Sequence, residues 1–233
     1  MTAQSEPHDE SHREPHGEPH PFENYPRELT ERRVGDEDQQ VARWVGDAAP
    51  PVDPIVVVDP EPGWPDAAAV ESANIADALG DLVVRIEHVG STSVPGLPAK
   101  PILDIDVQVP DSSDEDAYVP ALTRAGYVHV LREPWWNGHR MLVRADGGVN
   151  LHVFQAGSPE PLRHLLFRDW LRTHDADRDL YAAAKRRLAV ETADDPDSYN
   201  LDKNAVIDDI YTRIFSAPPS SHPAWPEGGY SGL

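Results

Sequence analysis

The sequence contains no cysteine, which excludes disulfide bonds and thiolate metal sites. No apolar run approaches the roughly 20 residues that a membrane-spanning helix needs, and the first residues lack the basic and apolar segments of a secretion signal. These absences predict a cytoplasmic protein without a membrane partner. Basic residues are also few, since 20 Lys and Arg stand against 41 Asp and Glu and give a formal net charge of -21. So acidic a chain lacks the basic footprint that general nucleic-acid binding requires.

Polar segments rich in Pro and acidic or small residues occupy both ends of the chain. Residues 1–50 are predicted to form an acidic, largely disordered extension with a short helix within 27–44. Four histidines recur there at intervals of four, but the intervening prolines oppose a helix, and solvated low complexity is favoured over a metal-binding tract; these are His8, His12, His16 and His20. Residues 217–233 are predicted to be a disordered tail, which leaves 54–216 as one folded domain.

Hydrophobic periodicity within residues 54–216 predicts an α+β domain. Alternating or β-branched runs predict strands near 55–58, 82–89, 101–109, 127–132, 140–144 and 149–154. Helical spacing predicts helices near 66–79 and 113–125 and a helical region from residue 162 onward. This order of strands and helices favours a mixed β-sheet backed by helices.

Two carboxylates stand on the strand predicted at 101–109. Asp104 and Asp106 are two residues apart, so both side chains face the same way. Such a pair can bind one or two Mg²⁺ ions together with substrate phosphates. In an acidic protein a lone Asp-x-Asp more often marks a solvated strand end, but here the flanking residues are apolar. Two unpaired carboxylates in an apolar strand repel each other unless a cation lies between them.

A small-residue turn precedes this strand. Gly90 and Ser91 follow the predicted strand 82–89 and offer backbone N–H groups and a hydroxyl to a phosphate. Alone, the turn is explained equally well as an ordinary loop. The combination of strand, Gly-Ser, a twelve-residue interval and apolar-Asp-apolar-Asp-apolar is considerably more specific than either part.

The run RIEHVGSTSVPGLPAKPILDIDVQV at 85–109 resembles the signature of the GrpB family, whose members resemble polymerase-β-type nucleotidyltransferases. NLHVF at 150–154, FRDWLR at 167–172 and the segment with Tyr181 and Lys185 are similar to later GrpB segments in the same order. The resemblance covers residues 54–216 and implies a nucleotidyltransferase-like fold. GrpB-like domains also occur fused to dephospho-CoA kinase, which implies a nucleotide or cofactor context.

The resemblance also implies roles for particular residues. Gly90 and Ser91 match the superfamily's Gly-Ser turn, which implies that they bind nucleotide phosphates. The hydroxyl of the adjacent Thr92 is a further predicted phosphate contact. Asp104 and Asp106 match its metal-binding pair, so a divalent cation, Mg²⁺ or Mn²⁺, is the expected cofactor.

His152 stands where the superfamily has a third carboxylate. Imidazole is a poor Mg²⁺ ligand, although it binds softer metals. Three functional roles stay open: a metal ligand, an acid-base group or phosphate contact, and a remnant in a site that binds without catalysing. A half-buried strand histidine bonded to a neighbour is equally consistent with the pattern.

Lysine occurs only at Lys100, Lys185 and Lys203. Lys100 precedes the Asp pair, and Lys185 lies one helical turn after Tyr181, so both are predicted to contact phosphate as point charges. For Lys203 a solvated helix cation is favoured. Arg168 is a further predicted phosphate contact, although an ion pair with Asp169 explains it almost as well.

These observations predict a metal-dependent nucleotidyltransferase that transfers a nucleoside monophosphate from an NTP to an unknown small-molecule or protein acceptor. The alternative is an inactive nucleotide-binding or partner-recognition module of the same fold, which the missing carboxylate favours. A metal-dependent phosphohydrolase is a weaker third interpretation.

Overall fold

A computed structural model of the protein describes residues 22–46, 55–192 and 196–230, with the backbone alone for 196–201. Its described residues form five strands and seven α-helices. The strands are β1 (Arg85–Val89), β2 (Leu103–Val109), β3 (Tyr127–Glu133), β4 (His139–Arg144) and β5 (Val149–Gln155). The helices are α1 (Arg27–Thr30), α2 (Glu37–Ala42), α3 (Trp64–Leu79), α4 (Glu115–Arg124), α5 (Pro159–Thr173), α6 (Asp175–Glu191) and α7 (Pro196–Ser216).

The strands make one mixed sheet in the order β1-β2-β5-β4-β3. The central pair, β2 and β5, is parallel, and the other neighbours are antiparallel. The parallel register places Asp104 beside Asn150 and Asp106 beside His152. Two polar positions of β5 therefore lie beside the carboxylates of β2.

Alternation along β2 separates the core from the site. Leu103, Ile105, Val107 and Val109 are buried in a cluster with residues of α3 and α4, including Ile75 and Leu122. Because successive side chains point to opposite sides of a strand, Asp104 and Asp106 face the other side. There His164 of α5 contacts Asp106. The predicted division of β2 into an apolar and a polar face is confirmed.

Glycine and proline set the helix ends near the sheet. Pro65 occupies the first turn of α3, where a missing N–H removes no helical bond, and the helix ends at Gly80 with φ of 54°. Gly126, with φ of 93°, follows α4 and turns the chain into β3. The predicted strands and helices are found, with ends shifted by a few residues, except at 55–58, where the described residues form only a β-bridge between Val58 and Ala99.

The predicted ends of the folded domain need correction. From residue 22 the extension packs on the domain, since Tyr25 and Leu29 are buried in a cluster with Ile210 and Phe215 of α7. Residues after 216 also pack, because the ring of Trp225 lies 5.3 Å from that of Tyr25. Aromatic burial outweighs the low-complexity composition of these flanks. The four-residue histidine series at 8–20 lies outside the described residues.

None of the described helices combines the length and apolar character that crossing a bilayer requires.

Candidate functional site

Asp104 lies at the start of β2, where β1, β2 and β5 meet. Its Oδ1 accepts a hydrogen bond of 3.0 Å from Nδ2 of Asn150 and lies 3.6 Å from Nε2 of His152. Burial acts to raise the pKa of Asp104, but the imidazole of His152 and the amide of Asn150 outweigh it and lower that pKa below its ordinary value. Asp104 is thus held as a carboxylate at neutral pH.

Gly90 is required by the close approach of Asp104. A Cβ at this position would lie 2.3 Å from Oδ2 of Asp104, and the backbone has a φ of 68°, which favours glycine. The turn after it, Ser91–Ser93, is closed by a 2.6 Å hydrogen bond from the Ser93 hydroxyl to the carbonyl of Gly90. The predicted Gly-Ser turn therefore lies directly against the first carboxylate.

A cavity of about 270 Å³ opens beside Asp104, and we call it the lysine cavity. Three of its lining residues are Lys100 from the loop before β2, Lys185 from α6 and Lys203 from α7. The others are Ser91, Ile102, Asp104 and Asn150. Every lysine of a chain with a formal charge of -21 therefore lines one cavity.

The three lysine amines of this cavity are buried and close together, which disfavours their protonated forms. Burial, followed by the charge of Lys203, lowers the pKa of Lys185 to about 7. Burial and the charge of Lys203 also lower the pKa of Lys100. Burial lowers the pKa of Lys203, against the opposing effect of Asp104. Because burial and mutual repulsion disfavour the protonated lysines, an anion in the cavity would stabilise them.

Lys185 is fixed in position by its surroundings. Its side chain is 2% exposed, and Nζ donates to the carbonyl of Pro98 and lies 4.8 Å from the centre of the Tyr181 ring. The predicted pair of Tyr181 and Lys185 on one helix face is thus a contact that orients the ammonium group.

Asp106 has a different environment from Asp104. It is 2% exposed, its Oδ2 lies 2.8 Å from Nδ1 of His164, and its Oδ1 has no hydrogen-bond partner among the described residues. Burial acts to lower the pKa of His164, but the charge and hydrogen bond of Asp106 outweigh it and raise that pKa to about 9. The second carboxylate is therefore paired with an imidazolium at neutral pH.

The half-buried His152 belongs to a series of three hydrogen-bonded side chains, of which the other two, His139 and Glu133, are buried. Its Nδ1 lies 3.0 Å from Nε2 of His139, and Nδ1 of His139 lies 2.7 Å from Oε2 of Glu133. Arg43 contacts the other oxygen of Glu133 at 3.7 Å. Burial, the largest cause, holds the pKa of His139 well below its usual value, so its ring is neutral. The series fixes the His152 ring with Nε2 on the side of Asp104.

A divalent cation fits the two carboxylates only together with oxygens from a ligand. Among the described residues, no group of three or more Asp, Glu or His side chains is arranged to hold a metal ion. Asp104 lines the cavity, however, and the buried Oδ1 of Asp106 lacks a partner within the described part of the chain. Mg²⁺ is commonly held by one or two carboxylates and substrate phosphates, which is the role these oxygens fit.

Three predicted phosphate contacts, Gly90, Thr92 and Arg168, lie outside the cavity lining. Arg168 donates to Glu87 at 2.9 Å, to Asp169 at 2.8 Å and to the carbonyl of His88 at 3.1 Å. Its guanidinium is therefore satisfied by protein groups, as the ion-pair interpretation held. Thr92 is 3% exposed, and its hydroxyl bonds to His88 and to the carbonyl of Ile102. The side chains of Arg168 and Thr92 therefore brace the turn, and their contact with phosphate stays a prediction.

The sequence analysis missed several residues of the site. Lys203 was favoured as a solvated cation, yet its side chain reaches the cavity; the scarcity of lysine that singled out Lys100 applies equally to it. Asn150 is a second missed lining residue, identifiable by its polar position two residues before His152. Nothing local marks His139 or His164, because only the fold brings them to β2 and β5.

The comparisons with known proteins find similarity to one family over most of the chain. The family model described as GrpB protein matches residues 54–213. A UPF0157 protein of Halalkalibacterium halodurans is 43% identical over 181 residues, which cover 78% of this chain and 92% of that protein. A dephospho-CoA kinase of Mycolicibacterium paratuberculosis is 30% identical over 70% of this chain but only 46% of its own length.

A solved structure has the same fold. The crystal structure of the conserved protein GrpB from Enterococcus faecalis matches with a TM-score of 0.63 and 31% identity, over 69% of this chain and 98% of that one. The matched family segment, the close relative and the shared mixed sheet all lead to one assignment: this chain belongs to the GrpB family.

Proposed function

We propose that the protein binds the phosphates of a nucleoside triphosphate in the lysine cavity and transfers the nucleoside monophosphate to an acceptor hydroxyl or phosphate. One observation carries the proposal: Ser91, Asp104 and all three lysines line a single cavity at the Gly-Ser turn. Cationic groups preorganised around a phosphate chain stabilise the charge that develops on the leaving pyrophosphate.

The residues of the site have two roles in this proposal, contact with the phosphates and binding of a cation. Lys100, Lys185 and Lys203 contact the phosphates that leave as pyrophosphate, and Ser91 binds the phosphate nearest the turn. Asp104 and Asp106 would hold a divalent cation together with those phosphates. When bound, such a cation neutralises charge at the α-phosphate.

His152 is the proton acceptor in this proposal. For an acceptor hydroxyl, the hydroxyl proton passes to Nε2 of His152 while the hydroxyl oxygen forms the bond to the α-phosphorus. The bond from that phosphorus to pyrophosphate breaks, and pyrophosphate leaves with the electron pair. The 3.0 Å contact to His139 supports this role, since it directs Nε2 towards Asp104.

Nucleotide binding without transfer is the second candidate. Its support is the pairing of Asp106 with His164 at 2.8 Å, because a buried carboxylate that already has a protein cation is less available to a metal. The similarity to a dephospho-CoA kinase adds no kinase activity here, since more than half of that protein lies outside the match.

Calorimetric titration of each NTP with Mg²⁺ or Mn²⁺, followed by an assay with α-labelled NTP and candidate acceptors, tests both candidates. Transfer of label with pyrophosphate release, lost in Asp104→Asn but retained in the exposed control Asp81→Asn, supports the transferase. Binding that persists without label transfer to any acceptor supports the second candidate. Absence of binding to any NTP with either metal overturns both.

A further inference from the structure

We propose that the lysine cavity recognises the phosphate chain of its ligand and not the base, so that its ligand class is triphosphates irrespective of the nucleoside, inorganic tripolyphosphate included. This inference rests on the proposed nucleotide binding and specifies which part of the nucleotide is recognised.

The charges of the cavity match a phosphate chain. Three lysine amines and one carboxylate, Asp104, line it, and the amines come from three separate parts of the fold. An ammonium group is a compact charge without the planar geometry that selects one orientation of a ligand. The rest of the chain is strongly acidic, so the affinity for a polyanion has to come from this local cluster.

The lining offers little with which to distinguish bases. Among the described residues that line the cavity, Ile102 is the only apolar side chain and none is aromatic. Base-reading sites use stacking surfaces and hydrogen-bonding groups at the base edge. Trp136 could have supplied such a surface, but its ring packs edge-on against His139 at 4.5 Å and Phe154 at 5.9 Å. Trp135 lies so close to Gly35 that a Cβ there would be 2.7 Å from its ring.

The volume of the cavity also favours the phosphate chain. At about 270 Å³ it is smaller than the roughly 300–1,000 Å³ of pockets that enclose a drug-sized ligand. A triphosphate fits this space, and the nucleoside then extends towards the opening. Selection by the number of phosphates follows, because each phosphate removed takes one anion away from the cluster of ammonium groups.

Calorimetry of the full chain tests this inference with ATP, GTP, CTP, UTP, ADP, AMP and inorganic tripolyphosphate, with EDTA and with Mg²⁺. We expect the four NTPs to bind within about threefold of one another and tripolyphosphate to compete with them. Affinity is expected to fall about tenfold or more per phosphate removed, since a charge-assisted contact contributes on the order of 1.5–3 kcal/mol.

Lys203→Gln and Lys100→Gln are the informative variants, each checked for folding by circular dichroism. Each substitution should lower the affinity for tripolyphosphate and for the four NTPs by the same factor. Arg187→Gln is the matched control, since it removes a positive charge from the exposed surface of α6, where Arg187 lies 4.0 Å from Glu191.

The outcomes separate this inference from the proposed function. A preference of more than about tenfold for one base, with tripolyphosphate failing to compete, overturns phosphate-chain recognition and leaves nucleotide binding intact. Binding of tripolyphosphate alone overturns the nucleotide function and supports recognition of the chain. Absence of binding by all seven ligands overturns both.

Discussion

Nε2 of His139 lies 3.0 Å from Nδ1 of His152, and this contact sets the tautomer of the second ring. His139 is neutral, and its Nδ1 proton faces Glu133, which is paired with Arg43. Nε2 of His139 is then an acceptor, and His152 carries its proton on Nδ1. We expect ¹⁵N NMR of the imidazole rings to show an Nδ1–H tautomer for His152, opposite to the preference of free histidine.

Replacing the partner should release this tautomer. In His139→Phe, which keeps a ring but removes the acceptor, the His152 signals are expected to move towards Nε2–H. His129→Gln is a control on β3 outside the series Glu133–His139–His152, and it should leave the His152 signals unchanged. An Nε2–H tautomer in the wild-type protein would contradict the assignment of His152 as proton acceptor.

Affinity for tripolyphosphate should depend on pH through Lys185. Burial lowers the pKa of Lys185 to about 7, and only the protonated form attracts a phosphate. Affinity is therefore expected to be highest below pH 7 and to fall as pH rises above it, by at most about tenfold per pH unit for this one proton. Titrations from pH 6 to 9 measure the effect.

Lys185→Gln separates this effect from ionisation of the ligand. Its affinity should be lower than that of the wild type at pH 6, and its decline above pH 7 should be shallower. Parallel pH profiles for the two proteins would assign the dependence to the ligand.

The Asp106–His164 pair should make stability depend on pH. The pKa of His164 is raised to about 9 in the folded protein, so its contribution to the free energy of unfolding is complete below the unfolded value near 6.5 and is lost as pH rises through 9. The loss is up to about 3 kcal/mol, from about 1.4 kcal/mol per pKa unit. Urea unfolding at pH 6 and pH 9.5 of wild type and His164→Gln measures it. We expect the variant to be less stable at pH 6 and the difference to shrink at pH 9.5; a constant difference would argue against an ionised pair.

Gly90→Ala tests the close approach of the turn to β2. The new methyl group would meet Oδ2 of Asp104, and the backbone has φ of 68°. Gly147→Ala is a matched control, since φ is 87° there and no atom of the described residues lies within 4 Å of the place a Cβ would take. Positive φ costs free energy for alanine at both sites, and at Gly90 the ψ of -169° adds to that cost because this backbone region is nearly restricted to glycine. We expect Gly90→Ala to lose at least about 1 kcal/mol more in urea unfolding, because displacing Asp104 adds the cost of steric strain. Equal losses would mean that the turn tolerates a side chain.

Local pattern predicted most of the sheet and half of the site. The alternation of apolar and polar residues in β2 was sufficient to assign its two faces, because successive side chains of a strand point to opposite sides and only one side packs on the core. Glycine after a strand and carboxylates on the next were recognised because both are local in sequence. The packing of Tyr25 with Trp225 was not predicted, since Tyr25 and its partners lie about 190 residues apart in the chain. The predicted phosphate contact of Arg168 shows the same limit. Its ion-pair partner Glu87 lies on another element, and the sequence alone does not show that the two side chains meet.

The placement of the lysines has a practical consequence for covalent chemistry. Every side-chain amine of the protein lines one cavity, so an amine-selective reagent has no other side chain to modify. Acylation responds to the neutral amine, and a substantial fraction of Lys185 is neutral near pH 7 because burial lowers its pKa to about 7. Labelling of the lysines with an activated ester therefore reports on the occupancy of the cavity itself. Mass spectrometry of the peptides, which separates the lysines from the α-amino group, reads that occupancy without knowledge of the ligand.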